Sequence, residues 1–139
     1  MMILTLNETR FEGREIALTA HLSNLAGARR FIARAAAAFG FDEAVQEQIK
    51  LAVNEAVANA IEHGSAHAGG SVSVRALEEE AGTLAVYVTD AGSFVPRMHR
   101  GTMPERGRGL AFMELLMDEV DVRPGAGGTE VRLVKRLDG

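Results

Sequence analysis

The stretch Asn54-Glu-Ala-Val-Ala-Asn-Ala-Ile-Glu-His-Gly64 decides the fold that we expect for this chain. It closes a long run of apolar residues at helical spacing that begins near Asp42. The apolar stripe of this helix consists of Val45, Ile49, Ala52, Val53, Ala56 and Ala60. At about 100° per residue, Asn59 falls inside the stripe and Glu55 lies at its edge, on the same helix face.

A buried amide or carboxylate needs a hydrogen-bond partner. Leaving one unpaired costs about 1 to 3 kcal/mol. The positions of Glu55 and Asn59 therefore indicate a ligand or a metal as the partner. From this helix alone the alternative stays open, namely two boundary residues bonded to water or to a neighbouring loop.

Composition limits the class of protein. The chain has 139 residues, 47% hydrophobic and 24% charged, which fits one globular domain with its own core. The absence of cysteine excludes disulfides and thiolate sites. A net charge of −4 argues against direct nucleic-acid binding. No apolar run reaches the roughly 20 residues that cross a bilayer, so we expect a cytoplasmic protein that does not contact a membrane.

The order of periodic segments predicts the fold class. Expected strands cover 14–22, 71–78, 83–89, 118–123 and 129–135, with a short edge strand at 2–6 and a hairpin turn at 79–82. Expected helices cover 25–39, 42–64 and 109–117, with caps at Ser23 or Asn24, at Gly40 and at Asp42. Strands and helices do not alternate as in parallel folds. The pattern predicts an α+β two-layer sandwich, a mostly antiparallel mixed sheet covered on one face by about three helices.

Three further stretches carry glycine and charge. Asp90-Ala-Gly92 ends an apolar strand, where glycine lets a ligand approach the backbone and a carboxylate accepts hydrogen bonds. Arg106-Gly-Arg-Gly-Leu110 precedes a helix. The first N–H groups of that helix and the Arg side chains of this stretch are typical of a phosphate-binding site. Gly127-Gly-Thr129 leads into the last strand. Each stretch alone also fits ordinary turn chemistry.

Taken in order, four motifs resemble the N box and the three glycine boxes of the Bergerat-fold ATP-binding superfamily, which includes gyrase, histidine kinases and mismatch-repair ATPases. The motifs are Glu55-x-x-x-Asn59, Asp90-x-Gly92, Gly107-x-Gly109 and Gly128-Thr129. The likeness is strongest to the anti-sigma-factor serine/threonine kinases of bacterial partner-switching systems, and it spans about residues 14–136. It implies a single ATP-binding kinase domain over 1–139, with an extra edge strand and turn in 1–13.

The resemblance also implies roles for individual residues. Glu55 would be the general base for the attacking hydroxyl, and Asn59 would bind the Mg²⁺ that bridges the ATP phosphates. Asp90 would accept a hydrogen bond from the adenine amino group, with Gly92 allowing close approach and Thr129 helping to hold Asp90. A lid over ATP would cover 93–106. The remaining expected nucleotide contacts are Arg106, Gly107, Arg108, Gly109 and Leu110.

The function implied by the resemblance is an ATP-dependent serine/threonine protein kinase. It would phosphorylate a small antagonist protein and sequester a sigma factor or similar client, and a homodimer is compatible with this role. The segment after Asp90 departs from the family pattern, because Val95 stands where an acid is expected. The alternative is therefore a nucleotide-binding partner switch without phosphotransfer. A catalytic domain cut from a longer histidine kinase is disfavoured, since no helix with a phosphoacceptor His precedes the fold.

Overall fold

The computed structural model of the chain describes residues 11–65, 70–90, 104–125 and 128–137, with the backbone alone for 63–65 and 104–107. Its strands are β1 (Arg14–Thr19), β2 (Ser71–Glu80), β3 (Thr83–Asp90), β4 (Glu119–Gly125) and β5 (Gly128–Arg136). Its helices are α1 (Leu25–Phe39), α2 (Glu43–Asn59) and α3 (Pro104–Leu116), with a 3₁₀ turn at Leu22–Asn24 and a π-helical turn at Ala60–Ser65. The expected strand at 2–6, Gly92 and most of the expected lid lie outside the described residues.

The five strands form one sheet in the order β1-β2-β3-β5-β4. All four pairings between these described strands are antiparallel. Val72 of β2 pairs with Asp90 of β3, and Thr89 of β3 pairs with Glu130 of β5. The end of β3 and the starts of β2 and β5 therefore share one edge of the sheet, where the predicted motifs meet.

The three helices cover one face of this sheet. Alternate side chains of the central strands point toward the helices and form the core with them, as the period of two requires. The core includes Val72, Val74 and Ala76 of β2, Leu84, Val86 and Val88 of β3, Ile32 of α1, Ile49 and Val53 of α2 and Met113 of α3. Burying each aliphatic side chain of this size contributes about 1.5 to 3 kcal/mol. The predicted α+β sandwich is confirmed.

Local chemistry sets several helix ends. The Asp42 carboxylate accepts a hydrogen bond from the Val45 N–H at 3.0 Å and caps α2, as expected. Gly40, with φ of 113°, ends α1 in the left-handed conformation that suits glycine. Asn24 precedes α1 as expected, but its side chain makes no cap hydrogen bond. Its amide instead donates to the Thr19 carbonyl at 2.8 Å, which ties the start of α1 to β1.

Two boundaries differ from the prediction. Glu79 and Glu80 belong to β2, and the hairpin turn is confined to Ala81 and Gly82. Gly82 adopts a φ of 75°, which only a residue without Cβ adopts easily. The acidic pair extends the strand because Glu79 is bound by side chains of two other strands, described below.

Candidate functional site

Glu55 and Asn59 lie on the last turns of α2, and both are half-buried. Asn59, which was predicted to fall inside the apolar stripe, is partly buried, as are Val45 and Ala60 of the same stripe. Val57, which the predicted stripe omitted, is completely buried instead. The reason is that α2 packs against α1 and α3 as well as against the sheet, which widens its buried face. Glu55 and Asn59 consequently sit where the buried face meets solvent.

Helix α3 approaches α2 at these two residues. A Cβ atom built on Gly109 would lie 2.8 Å from Glu55 Oε2 and 3.4 Å from Asn59 Nδ2. A contact below 3.0 Å would force the Glu55 side chain to move. Gly109 therefore permits the close approach of the α3 backbone to the carboxylate. The structure brings together three residues that the sequence placed in one site.

The start of α3 differs from the expectation. Gly107-x-Gly109 was predicted to precede the helix, but α3 begins at Pro104 and contains both glycines. Proline suits the first helical position, because a backbone N–H at that position would have no hydrogen-bond acceptor within the helix. The N–H groups without a helical acceptor therefore belong to the first turn, which includes Arg106 and Gly107. The Arg108 side chain is exposed and Leu110 packs against the core.

Asp90 and Thr129 meet at the shared edge of the sheet. Asp90 ends β3 and is 3% exposed, and Thr129, near the start of β5, is 9% exposed. Within the part of the chain that the structure describes, Thr129 Oγ1 is buried without a hydrogen-bond partner. A buried hydroxyl in this state costs about 1 to 3 kcal/mol, which a ligand or a bound water would recover.

Gly128 holds β5 against Asp90, and the sequence prediction did not select it as a binding residue. A Cβ there would lie 2.0 Å from the Asp90 carbonyl oxygen and 3.3 Å from Oδ1. Its φ of 141° also favours glycine. The Gly127-Gly-Thr129 motif carried this signal, but a pair of glycines in a hairpin is equally typical of a plain turn. The register of β3 and β5 was needed to distinguish close packing on Asp90 from a plain turn.

The two groups of residues lie at the same end of the molecule. The π-helical turn at Ala60–Ser65 continues α2 beyond Asn59 and contacts β2, β3 and β5. Behind Glu55, Asn54 Oδ1 accepts a hydrogen bond from Arg29 Nη1 at 3.0 Å, which fastens α2 to α1. Among the described residues, no cluster of three or more His, Asp or Glu side chains could hold a metal ion. Any cation at this end would therefore depend on an amide, on water and on the ligand itself.

A second polar cluster lies on the opposite face of the sheet, and its side chains have pKa values shifted from their ordinary values. We call it the open-face network: Glu79, Tyr87, Glu119, Arg132 and Arg136. Arg132 donates to Glu79 Oε1 at 2.5 Å, to Tyr87 Oη at 3.2 Å and to Glu119 Oε1 at 3.3 Å. The Tyr87 hydroxyl donates to Glu79, and Arg136 donates to Glu119.

Hydrogen bonds and burial shift the pKa values of Glu79 and Tyr87. The hydrogen bond from Arg132, followed by that from Tyr87, lowers the pKa of the Glu79 carboxyl. Burial, followed by the hydrogen bond to Glu79, raises the pKa of Tyr87. Tyr87 points away from the helices because its neighbours Val86 and Val88 face the core. The open-face network is thus separate from the candidate site.

The sandwich carries the Glu55–Asn59 pair of α2 and the buried Asp90–Thr129 pair at one end. The model of the histidine kinase-like ATPase domain family matches residues 18–135, and the chain belongs to this family. It is 35% identical to an anti-sigma F factor of Pasteuria penetrans, over 88% of this chain and 89% of the relative. It is 34% identical to the serine-protein kinase RsbW of Bacillus subtilis, over 67% and 66% of the two chains.

A solved structure shows the same fold. The crystal structure of the RsbU and RsbW domains of a Mycobacterium tuberculosis protein superposes with a TM-score of 0.71 at 30% identity. The match covers 91% of this chain and 32% of that one. No helix among the described residues is long and apolar enough to span a membrane.

Proposed function

We propose that the protein is an ATP-dependent serine/threonine protein kinase of the anti-sigma type. It phosphorylates a hydroxyl of a small antagonist protein and holds a sigma factor or similar client. The observation that carries the proposal is the close approach of the α3 backbone at Gly109 to both Glu55 and Asn59, since it brings the proposed base and the proposed metal ligand beside the helix that follows the expected lid. The kinase names of the relatives support the reaction class.

Adenine recognition is assigned to the Asp90–Thr129 pair. The Asp90 carboxylate accepts a hydrogen bond from the adenine amino group, and the buried Thr129 hydroxyl supplies a further polar contact, directly or through water. A guanine carbonyl in the same place would face the carboxylate without a proton between them. ATP is therefore preferred over GTP. The flanking Gly92 lies outside the described residues and remains a predicted contact.

The phosphates are assigned to the space beside Asn59 and the start of α3. An amide oxygen suits Mg²⁺, which keeps waters and substrate phosphates as its other ligands, so Asn59 fits this ion without an acidic cluster. Mg²⁺ bound there would neutralise phosphate charge. Free N–H groups in the first turn of α3, together with Arg106, Gly107 and Arg108, would meet the phosphate oxygens. Gly109 and Leu110 position that turn.

Glu55 is assigned as the general base. It takes the proton of the acceptor hydroxyl as the hydroxyl oxygen forms its bond to the γ-phosphorus and ADP leaves. Glu55→Gln keeps the shape and the hydrogen bonds but cannot take the proton. We expect phosphotransfer to fall by about 10² to 10⁴ while ATP affinity stays within about twofold.

The test is transfer of label from γ-labelled ATP to candidate antagonist proteins, with ATP affinity measured by calorimetry. Glu47→Gln is the matched control, because Glu47 is an exposed carboxylate on the same helix. It should transfer phosphate at the wild-type rate. If Glu55→Gln transfers phosphate at the wild-type rate, Glu55 is not the general base. If the wild type binds ATP and a client but transfers nothing, the protein is a nucleotide-binding switch and the kinase proposal fails.

A further inference from the structure

Lys135 of β5 is a cation on the side of the sheet that the helices cover. Its partner in β3 is Leu84, and Leu133, two residues earlier in β5, belongs to the core. Residues two apart on a strand share a face, so the Lys135 side chain points toward the helices. It is half-buried there. An ammonium group in such a place needs a polar partner, and that partner indicates what the residue does.

The partner of Lys135 is the carbonyl that ends helix α3. Lys135 Nζ donates a hydrogen bond to the Leu116 carbonyl oxygen at 2.5 Å. The last four carbonyls of a helix have no donor within the helix and carry the negative end of its dipole, which favours a cation. Beside this bond, the Asp118 N–H donates to the Val134 carbonyl at 2.8 Å, and the Arg136 N–H donates to the Asp118 carboxylate at 2.7 Å. We call these three hydrogen bonds the α3 anchor.

The core packing of α3 defines its position less closely than the α3 anchor does. The buried side chains of α3 and of the residue that follows it are Met113 and Met117. Methionine is unbranched and flexible, so it fills a core without fixing one exact helix position. Where α3 passes α2, Gly109 presents its backbone and no side chain. A directional hydrogen bond at the end of α3 therefore fixes what its packing leaves open.

We propose that Lys135 is a positioning residue of the nucleotide site, an inference that rests on the proposed function. Through the α3 anchor it holds α3 beside Glu55 and Asn59. Gly109 lies seven residues before Leu116, or roughly 10 Å along the helix. A tilt of about 6° at the end of α3 would therefore move Gly109 by roughly 1 Å. A displacement of that size can slow a reaction about 100-fold.

The inference predicts which part of ATP is affected when Lys135 is replaced. The phosphates are assigned to Asn59 and the first turn of α3, whereas adenine is assigned to Asp90 and Thr129 on the sheet. A misplaced α3 should weaken the binding of Mg·ATP and leave the binding of adenosine unchanged. A distorted β5 would weaken adenosine as well, because Thr129 lies on the same strand as Lys135. A purely structural role would not separate the two ligands.

The test measures Mg·ATP affinity by calorimetry and adenosine affinity by NMR titration, on the full chain. Lys135→Met keeps the apolar stem of the side chain and removes the donor. We expect its Mg·ATP affinity to fall about tenfold and its adenosine affinity to stay within about twofold. Lys135→Arg keeps a donor and should recover most of the Mg·ATP affinity. Lys50→Met is the matched control, because it removes the same charge from a half-buried lysine of α2 that pairs with Glu47. It should change neither affinity.

Thermal melting checks that each variant is folded. Lys135→Gln, whose shorter side chain stops short of the Leu116 carbonyl, takes the place of Lys135→Met if the latter unfolds. The inference is overturned if Lys135→Met binds Mg·ATP as tightly as the wild type, if it loses Mg·ATP and adenosine alike, or if Lys135→Arg is as weak as Lys135→Met. These results would leave the proposed function standing. A wild type that binds no Mg·ATP would refute the proposed function itself.

Discussion

The open-face network and the candidate site are both polar clusters on one sheet, yet they differ in how their groups are satisfied. In the open-face network, Arg132 binds Glu79, Tyr87 and Glu119, so each of these side chains has a partner within the protein. At the candidate site, Thr129 Oγ1 is buried and lacks one among the described residues. At that same end, glycines bring the backbone against Asp90 and Glu55.

This difference separates polar groups that are satisfied within the protein from a buried hydroxyl, that of Thr129, which has no partner among the described residues. A satisfied network contributes modestly to stability, and each member loses that contribution when its partner is removed. An unsatisfied buried group costs stability until something binds to it. Removing a polar group should therefore have opposite effects on stability in the two regions. The following predictions test how each region is held, starting with the largest effect.

Gly128→Ala should cause the largest loss. The new Cβ would lie 2.0 Å from the Asp90 carbonyl oxygen, and the φ of 141° is unfavourable for alanine. Backbone strain and overpacking together should lower the free energy of unfolding by about 3 kcal/mol. Urea denaturation measures this loss. Gly125→Ala, which meets only an ordinary contact at 3.5 Å, should cost less than about 1 kcal/mol. Equal costs would show that β5 does not pack on Asp90 as described.

Thr129→Val and Tyr87→Phe should change stability in opposite directions. Valine keeps the shape of threonine and removes an unpartnered hydroxyl, so the nucleotide-free protein should gain about 1 kcal/mol. Tyr87→Phe removes a hydroxyl bound to Glu79 and Arg132 and should lose about 1 kcal/mol. Calorimetry should show weaker ATP binding for Thr129→Val alone. A destabilised Thr129→Val protein would mean that the hydroxyl already has a partner.

Glu79→Gln should have the smallest effect, and that effect should depend on pH. The pKa of Glu79 is lowered in the folded protein, chiefly by Arg132. A lowered carboxyl pKa stabilises the fold above the ordinary value of 4.5, and this stabilisation is lost as the pH falls through the folded-state pKa. The variant should therefore be less stable at pH 7, by under about 1 kcal/mol, and the difference should shrink below about pH 4.5. A difference that grows on acidification would contradict this assignment. Denaturation at several pH values measures it.

Local signals in the sequence predicted much of the fold. The Asp42 cap, the Gly40 stop and the alternation in β2 and β3 each depend on neighbours in sequence, and the structure confirms them. The prediction fails where contacts between residues distant in sequence determine the local structure or the burial. Glu79 was placed in a turn, but Arg132 from β5 holds it in a strand. Val57 was missed because α2 packs against its two neighbouring helices as well as against the sheet.

The same distinction between local signals and long-range contacts applies to the candidate site. Spacing selected Glu55 and Asn59, and the resemblance to the ATP-binding superfamily added Asp90 and Thr129 as site residues. Each lies on an element that the structure contains. Spacing could not show that the backbone at Gly109 lies close to Glu55, because that approach depends on how α3 crosses α2. The start of α3 at Pro104 was missed since glycine pairs usually break helices. The roles of all these residues stay predictions.

The sheet order has a consequence for synthesis of the chain on the ribosome. Strand β5 is the last described strand in sequence, yet it lies between β3 and β4. While translation proceeds, the backbone N–H and C=O groups along one edge of β3 have no partner strand. In the folded protein almost every residue of β3 is buried. That exposed edge invites pairing with other nascent chains until residues 128–136 arrive. A transcript cut before Gly128 would therefore yield an aggregation-prone fragment, and chaperone binding to nascent β3 would protect the product.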